Sequence, residues 1–268
     1  MTAGHEHELA RGVGRAFGGA LLFALPLMMT MELWRLAHTV ERYRLALLVV
    51  TTVALVIALS RYFGTGPGGV GVGGYLADAG VALLVAAATT ALVLAVLGVI
   101  DPVRNWQDAL GVTAIEALPA AVGASYARSQ LGQRSRRREP DRYGHEVFLM
   151  TAGAIVFAAN IAPTEEVVLM AARMSTVGTA LLVVLSLVVM HGFVYTVGFR
   201  GQERSTGGFV GSFLTLTVVG YAAAFAVSAY VLWTFGRFDG TGAVVVVAQT
   251  VVLAFPASVG AAAARLIL

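Results

Sequence analysis

Eight largely apolar stretches run along this chain, roughly Phe17–Trp34, Ala46–Ala58, Val81–Ile100, Ala109–Ala127, Phe148–Ala171, Ala180–Val197, Phe209–Trp233 and Ala243–Leu266. A run of about 18 such residues can cross the hydrocarbon core of a bilayer as a helix. Backbone polar groups in lipid must be satisfied internally, and a helix does this within one segment. The expectation is therefore an all-α polytopic membrane protein with about eight transmembrane helices. The second stretch must extend to about Tyr43 and Arg61 to cross, and the fourth contains Glu116, so these two carry the weakest signal. Composition agrees, with 58% hydrophobic and only 12% charged residues; a soluble domain has about 25% charged. The first span lacks a small-residue cleavage site and seven more follow, so it reads as retained, not as a signal peptide. Without cysteine there are no disulfides or thiolate metal sites.

The charge of +3 rests on arginine alone. With eight spans and a cytoplasmic N-terminus, twelve of the eighteen arginines fall on the cytoplasmic side, which favours both termini inside. RSRRREPDR in the central loop contributes most. It reads as a topology mark in the cell (inner) membrane, with anionic lipid headgroups as a secondary partner. Nucleic acid is not needed to explain it.

That loop also divides a duplicated sequence. GALLFALPLMMTMELW at Gly19–Trp34 aligns without gaps to GAIVFAANIAPTEEVV at Gly153–Val168, and ALLVV at Ala46–Val50 keeps the same offset to Ala180–Val184. ALPAAVGASYAR at Ala117–Arg128 matches AFPASVGAAAAR at Ala254–Arg265. The expected organisation is a first four-helix repeat over 1–128, an Arg-rich linker over 129–145 and a second four-helix repeat over 146–268. Four spans return the chain to its starting side, so the repeats should be parallel. Small residues after Pro119 and Pro256 would let helices approach closely, within the chain or in a homo-oligomer.

The alignment pairs Glu32 with Glu166 and Thr30 with Thr164; Glu165 faces Met31 and has no acidic partner. Ionisable groups in a span are costly and normally face the protein interior or a water path. Two converging carboxylates could share a proton, or hold a small cation with the threonine hydroxyls. Equally, they could point into outer headgroups or pair with Arg35 and Arg173. Pro163 cannot donate to the carbonyl of Ala159, which predicts a broken or kinked fifth helix near Asn160. Pro26 is the breaker of the first span, aligned with Asn160 and so at a different depth. Glu116 and His191, inside the fourth and sixth spans, have no equivalents in the other half. They could extend a proton pathway or serve as structural hydrogen-bonding groups. Histidines are too scattered for a metal site, and HEHE at 5–8 lacks the HExxH spacing. No catalytic set and no cofactor is read.

RAFGGALLFALPLMMTMELW and MHGFVYTVGF resemble a family of bacterial integral membrane proteins with no established substrate, over nearly the whole chain and the eight-span layout. The opening is more remotely similar to the lysosomal and bacterial potassium-channel family, whose first helix contains RxxxFSDG. Only Phe17 matches there. Val13 stands for the arginine, Gly18, Gly19 and Ala20 stand for Ser-Asp-Gly, and that family has six helices per repeat.

The leading functional reading is a transporter or channel for protons or a small cation. A non-transporting sensory or assembly subunit is the alternative. A membrane-embedded enzyme has the least support, because no nucleophile–base pair is recognisable.

Overall fold

A computed structural model describes residues 2–63, 71–131, 142–196, 211 and 213–267. Much of the glycine-rich loop, nearly all of the central arginine cluster and the GFRGQERSTGG segment lie outside the described residues. The chain divides into two compact units, Met1–Glu139 and Pro140–Leu268, and all regular structure among the described residues is helical.

The first unit contains α1 (Thr2–Met28), α2 (Met31–Thr39), α3 (Arg42–Phe63), α4 (Val72–Val96) and α5 (Trp106–Leu131). The second contains α6 (Arg142–Ile161), α7 (Glu166–Arg173), α8 (Thr176–Thr196), α9 (Phe213–Thr234, opening with a π-helical turn over Phe213–Val218) and α10 (Ala243–Ile267). Six of these helices, α3, α4, α6, α8, α9 and α10, are long and apolar enough to cross a membrane. Counting the bent pair α1–α2 as one span makes seven. The central helix of the first unit, α5, carries Asp108 and Glu116 and is not among them.

Glycine decides how each unit packs. In the first, α1 and α5 run antiparallel and touch backbone to backbone: a Cβ on Gly19 would collide with the carbonyl oxygen of Gly123 and with Ala127, and a Cβ on Gly123 would strike Phe23. In the second, Gly153 meets Gly260 and Ala264, and Gly260 meets Phe157, in the same pattern between α6 and α10. In lipid, where no hydrophobic drive pulls helices together, such close approach supplies the packing.

The helix ends repeat as well. α4 stops at Gly98 (φ 72°) and α9 at Gly236 (φ 71°), a left-handed conformation that glycine adopts without a side-chain clash. Gly98 N–H donates to Ala95 O at 3.0 Å and Val99 N–H to Leu94 O at 2.9 Å. Gly236 N–H donates to Trp233 O at 3.0 Å and Arg237 N–H to Leu232 O at 2.9 Å. Both are Schellman caps. This cap ends α4 before Ile100, and α4 begins at Val72, so the third apolar helix sits earlier in the sequence than hydropathy predicts.

The predicted fifth span, Phe148–Ala171, is indeed interrupted: α6 ends at Ile161, and α7 is a separate eight-residue helix. The first span is broken too, by 83° between α1 and α2.

Candidate functional site

The two breaks are built alike despite their different prolines. Pro26 lies inside α1, which continues to Met28, whereas Pro163 is buried in the turn after α6. In the first unit Thr30 donates both its N–H and its hydroxyl to Leu27 O, each at 2.8 Å. In the second, Thr164 donates to Ile161 O with its N–H at 3.0 Å and its hydroxyl at 2.8 Å. Each threonine thereby satisfies a carbonyl that the helix end leaves open. Their hydroxyl protons are committed to the backbone, and only oxygen lone pairs face anything else. Asn160 likewise turns back, donating from Nδ2 to Val156 O at 2.7 Å.

A further carbonyl at each break is taken by a side chain from farther along, one residue on in the first unit and two in the second. Met28 O accepts the indole N–H of Trp34 at 3.0 Å. Pro163 O accepts from the guanidinium of Arg237, which follows the Schellman glycine of α9. One break is closed by a neutral donor and the other by a cation.

The predicted surface carboxylates stand at these bends. Glu32 lies half-buried in the first turn of α2, Glu166 is exposed at the start of α7, and Glu165 is the exposed N-cap residue of α7. An acid in a first helical turn is favoured by the helix dipole, by about 0.3–1 kcal/mol at an exposed position. Among the described residues no ion pair joins Glu32 to Arg35 or Glu166 to Arg173. His38 of α2 instead approaches Asp108 of α5, at 3.4 Å.

Glu116 is in a different situation. It is fully buried, and neither carboxylate oxygen has a hydrogen-bond partner among the described residues. It lies ten residues into α5, about 15 Å along the helix from Trp106. Its place on α5 follows from the glycine crossing. Residues 116, 120, 123 and 127 share one stripe by their three- and four-residue spacing, and that stripe meets α1 at Gly19. Seven residues along α5 from Gly123, Glu116 is ~10 Å from the crossing. α1 covers the same rise between Gly19 and Pro26. The carboxylate is therefore level with the last turn of α1, just below the bend.

The second unit has a buried polar side chain on the equivalent stripe of α10. Gln249 is fully buried and has no partner among the described residues for either its oxygen or its nitrogen. It is eleven residues from Gly260, about 16 Å, and so level with the turn beyond Ile161. Position 253, the alignment partner of Glu116, is Leu253 and belongs to the core. Sequence comparison at a single position makes Glu116 look isolated. The matching helix stripe offers Gln249 as its counterpart in the second unit, one turn from the aligned position.

His191 stands apart. It lies fifteen residues along α8 from Thr176, about 22 Å from the end of α8 that follows α7. It is buried, its Nδ1 lies 2.9 Å from Thr217 Oγ1 in the π-helical turn, and its ring meets Phe213 edge-on at 5.2 Å. Among the described residues no three His, Asp or Glu side chains gather as a metal site.

Arg237, Gln249 and Trp34 were not legible as site residues. Arg237 reads as one outer arginine among six until the caps at Gly98 and Gly236 are superposed in register. Gln249 gives no signal in an apolar run beyond its polarity.

Long apolar helices, glycine-mediated crossings and broken helices with polar groups buried beside them define a multi-pass helical membrane protein. Residues 12–268 match the family described as "Putative integral membrane protein (DUF2391)". The chain belongs to this family. No curated protein and no solved structure matches it.

Proposed function

We propose that the protein moves protons or a small cation across the membrane, as a transporter or channel, with Glu116 as its principal intramembrane acid. The supporting observation is the fully buried carboxylate without a hydrogen-bond partner, level with a broken helix. An ionised carboxylate there costs several kcal/mol without compensation, and a bound proton or cation removes that cost. Groups of this kind inside membranes are characteristic of ion and proton pathways, and broken helices commonly line them.

We further propose that the units are two parallel four-helix repeats, each broken helix and its short partner forming one crossing. This adds α5 to the spans and places both termini in the cytoplasm. Its support is the matched glycine crossing, the matched Schellman caps and the matched threonine bonds. Glu32 and Glu166, with Thr30, Thr164, Asn160 and Glu165, would form the outer approach to the pathway. His191 would serve the opposite end.

The test is flux in proteoliposomes under imposed gradients of protons, sodium and potassium. Glu116→Gln should abolish flux, and Glu32→Gln or Glu166→Gln should reduce it. Absence of wild-type flux under every gradient removes the reading. Unchanged flux in Glu116→Gln removes Glu116 from it.

A further inference from the structure

Resting on that reading, we infer that only the first unit binds an exchangeable ion, a proton or a desolvated monovalent cation, whereas the second unit carries its cation built in, as Arg237. The Schellman caps give the register. Val99 donates to Leu94 in the first unit where Arg237 donates to Leu232 in the second. The same backbone position thus holds an apolar side chain in one unit and a guanidinium in the other. The guanidinium reaches the broken end of α6 at Pro163 O, where the carbonyls form the negative pole of the helix. In the first unit the corresponding pole receives neutral donors among the described residues, the hydroxyl of Thr30 and the indole of Trp34.

The buried polar residues complement this difference. The first unit has a buried acid, Glu116, and among the described residues no cation paired with it. The second has a fixed cation and an uncharged amide, Gln249. A carboxylate level with a helix end closed by neutral donors alone is a site for a mobile positive charge. A carboxamide in a unit whose break is closed by a guanidinium is not.

No described charged group on the helices packed against α5 is bonded to Glu116. Arg15 on α1, Glu32, Arg35 and His38 on α2, Arg42, Arg44 and Arg61 on α3 and Asp78 on α4 form no ion pair with it among the described residues. Arg44, buried near the start of α3, bonds to Tyr43 Oη at 3.1 Å. Around α10, α6 carries Tyr143, His145 and Glu146 near its start, α7 carries Glu166 and Arg173, α8 carries His191, and α9 carries Tyr221 and Tyr230. Arg237, which follows α9 and stands two residues before Asp239, is placed at the break itself by its bond to Pro163 O.

The experiment is infrared difference spectroscopy of the full chain in lipid, following the carbonyl stretch of a protonated carboxyl group in apolar surroundings. Wild type should show one such band, absent from Glu116→Gln. Val99→Arg should remove it by supplying a fixed cation. Gln249→Glu should add no band while Arg237 is present, and should add one when combined with Arg237→Gln. Loss of the wild-type band on adding NaCl or KCl identifies a metal cation as the ligand; insensitivity to both identifies the proton. The inference is overturned if wild type lacks the band at every pH, if the band survives Glu116→Gln, or if Gln249→Glu produces one beside an intact Arg237. Because the readout is protonation and not transport, a failed flux assay leaves this result independent.

Discussion

The first unit closes its broken helix with an indole and buries a carboxylate level with it; the second closes its broken helix with a guanidinium and buries a carboxamide. Around these groups the glycine crossings, caps and threonine bonds are alike. Backbone geometry constrains every copy of such a fold, because a Cβ at the crossing has nowhere to go. Polar groups beside the break meet no such demand, so they are where the two units can take on separate tasks.

The comparison breaks first at the crossings. Gly19→Leu and Gly153→Leu should each destabilise by about 3 kcal/mol or more, since overpacking here is against backbone. Thermal unfolding in detergent would measure both, and a large loss in only one unit would mean that the shared geometry carries unequal weight. Next come the buried polar groups. Glu116→Leu should stabilise the protein by about 1–3 kcal/mol, by removing a buried group with no partner. Gln249→Leu should act in the same direction but less, because the amide carries no charge. A destabilised Glu116→Leu would show that the carboxylate has a structural partner and would weaken the ion-site reading.

The caps of the breaks should differ in a graded way. Arg237→Met removes a hydrogen bond from a charged donor and should cost about 1.5–3 kcal/mol, against about 1 kcal/mol for Trp34→Phe. Urea unfolding in mixed micelles can rank the two, and equal effects would erase the distinction between charged and neutral closure. The smallest change is at the helix ends. Gly98→Ala and Gly236→Ala should each cost about 1 kcal/mol through the left-handed backbone. Amide exchange at Val99 and Arg237 would report the fraying locally.

The apolar runs, the repeated GA-x-x-F segments and Pro163 already indicate membrane helices, a recurring sequence pattern and an interruption after α6. They do so because hydropathy and proline chemistry act over a few consecutive residues. The break in the first span is harder to read, since Pro26 lies within α1 and the helix stops two residues later at Met28. Thr30 and Thr164 align in the sequence as candidate ligands, but their bonds to Leu27 O and Ile161 O depend on the turn itself.

The sequence alone therefore determined that this chain is built of apolar helices, where it repeats itself, and which few carboxylates interrupt the pattern. Tertiary structure decided which of those carboxylates is costly. Glu165 and Glu166 are as charged as Glu116 on paper, yet they stand exposed at the start of a short helix while Glu116 has no contact with solvent. Burial comes from packing partners many residues away, as does the pairing of Arg237 with Pro163, 74 residues apart in the chain. No local pattern of residues encodes either one.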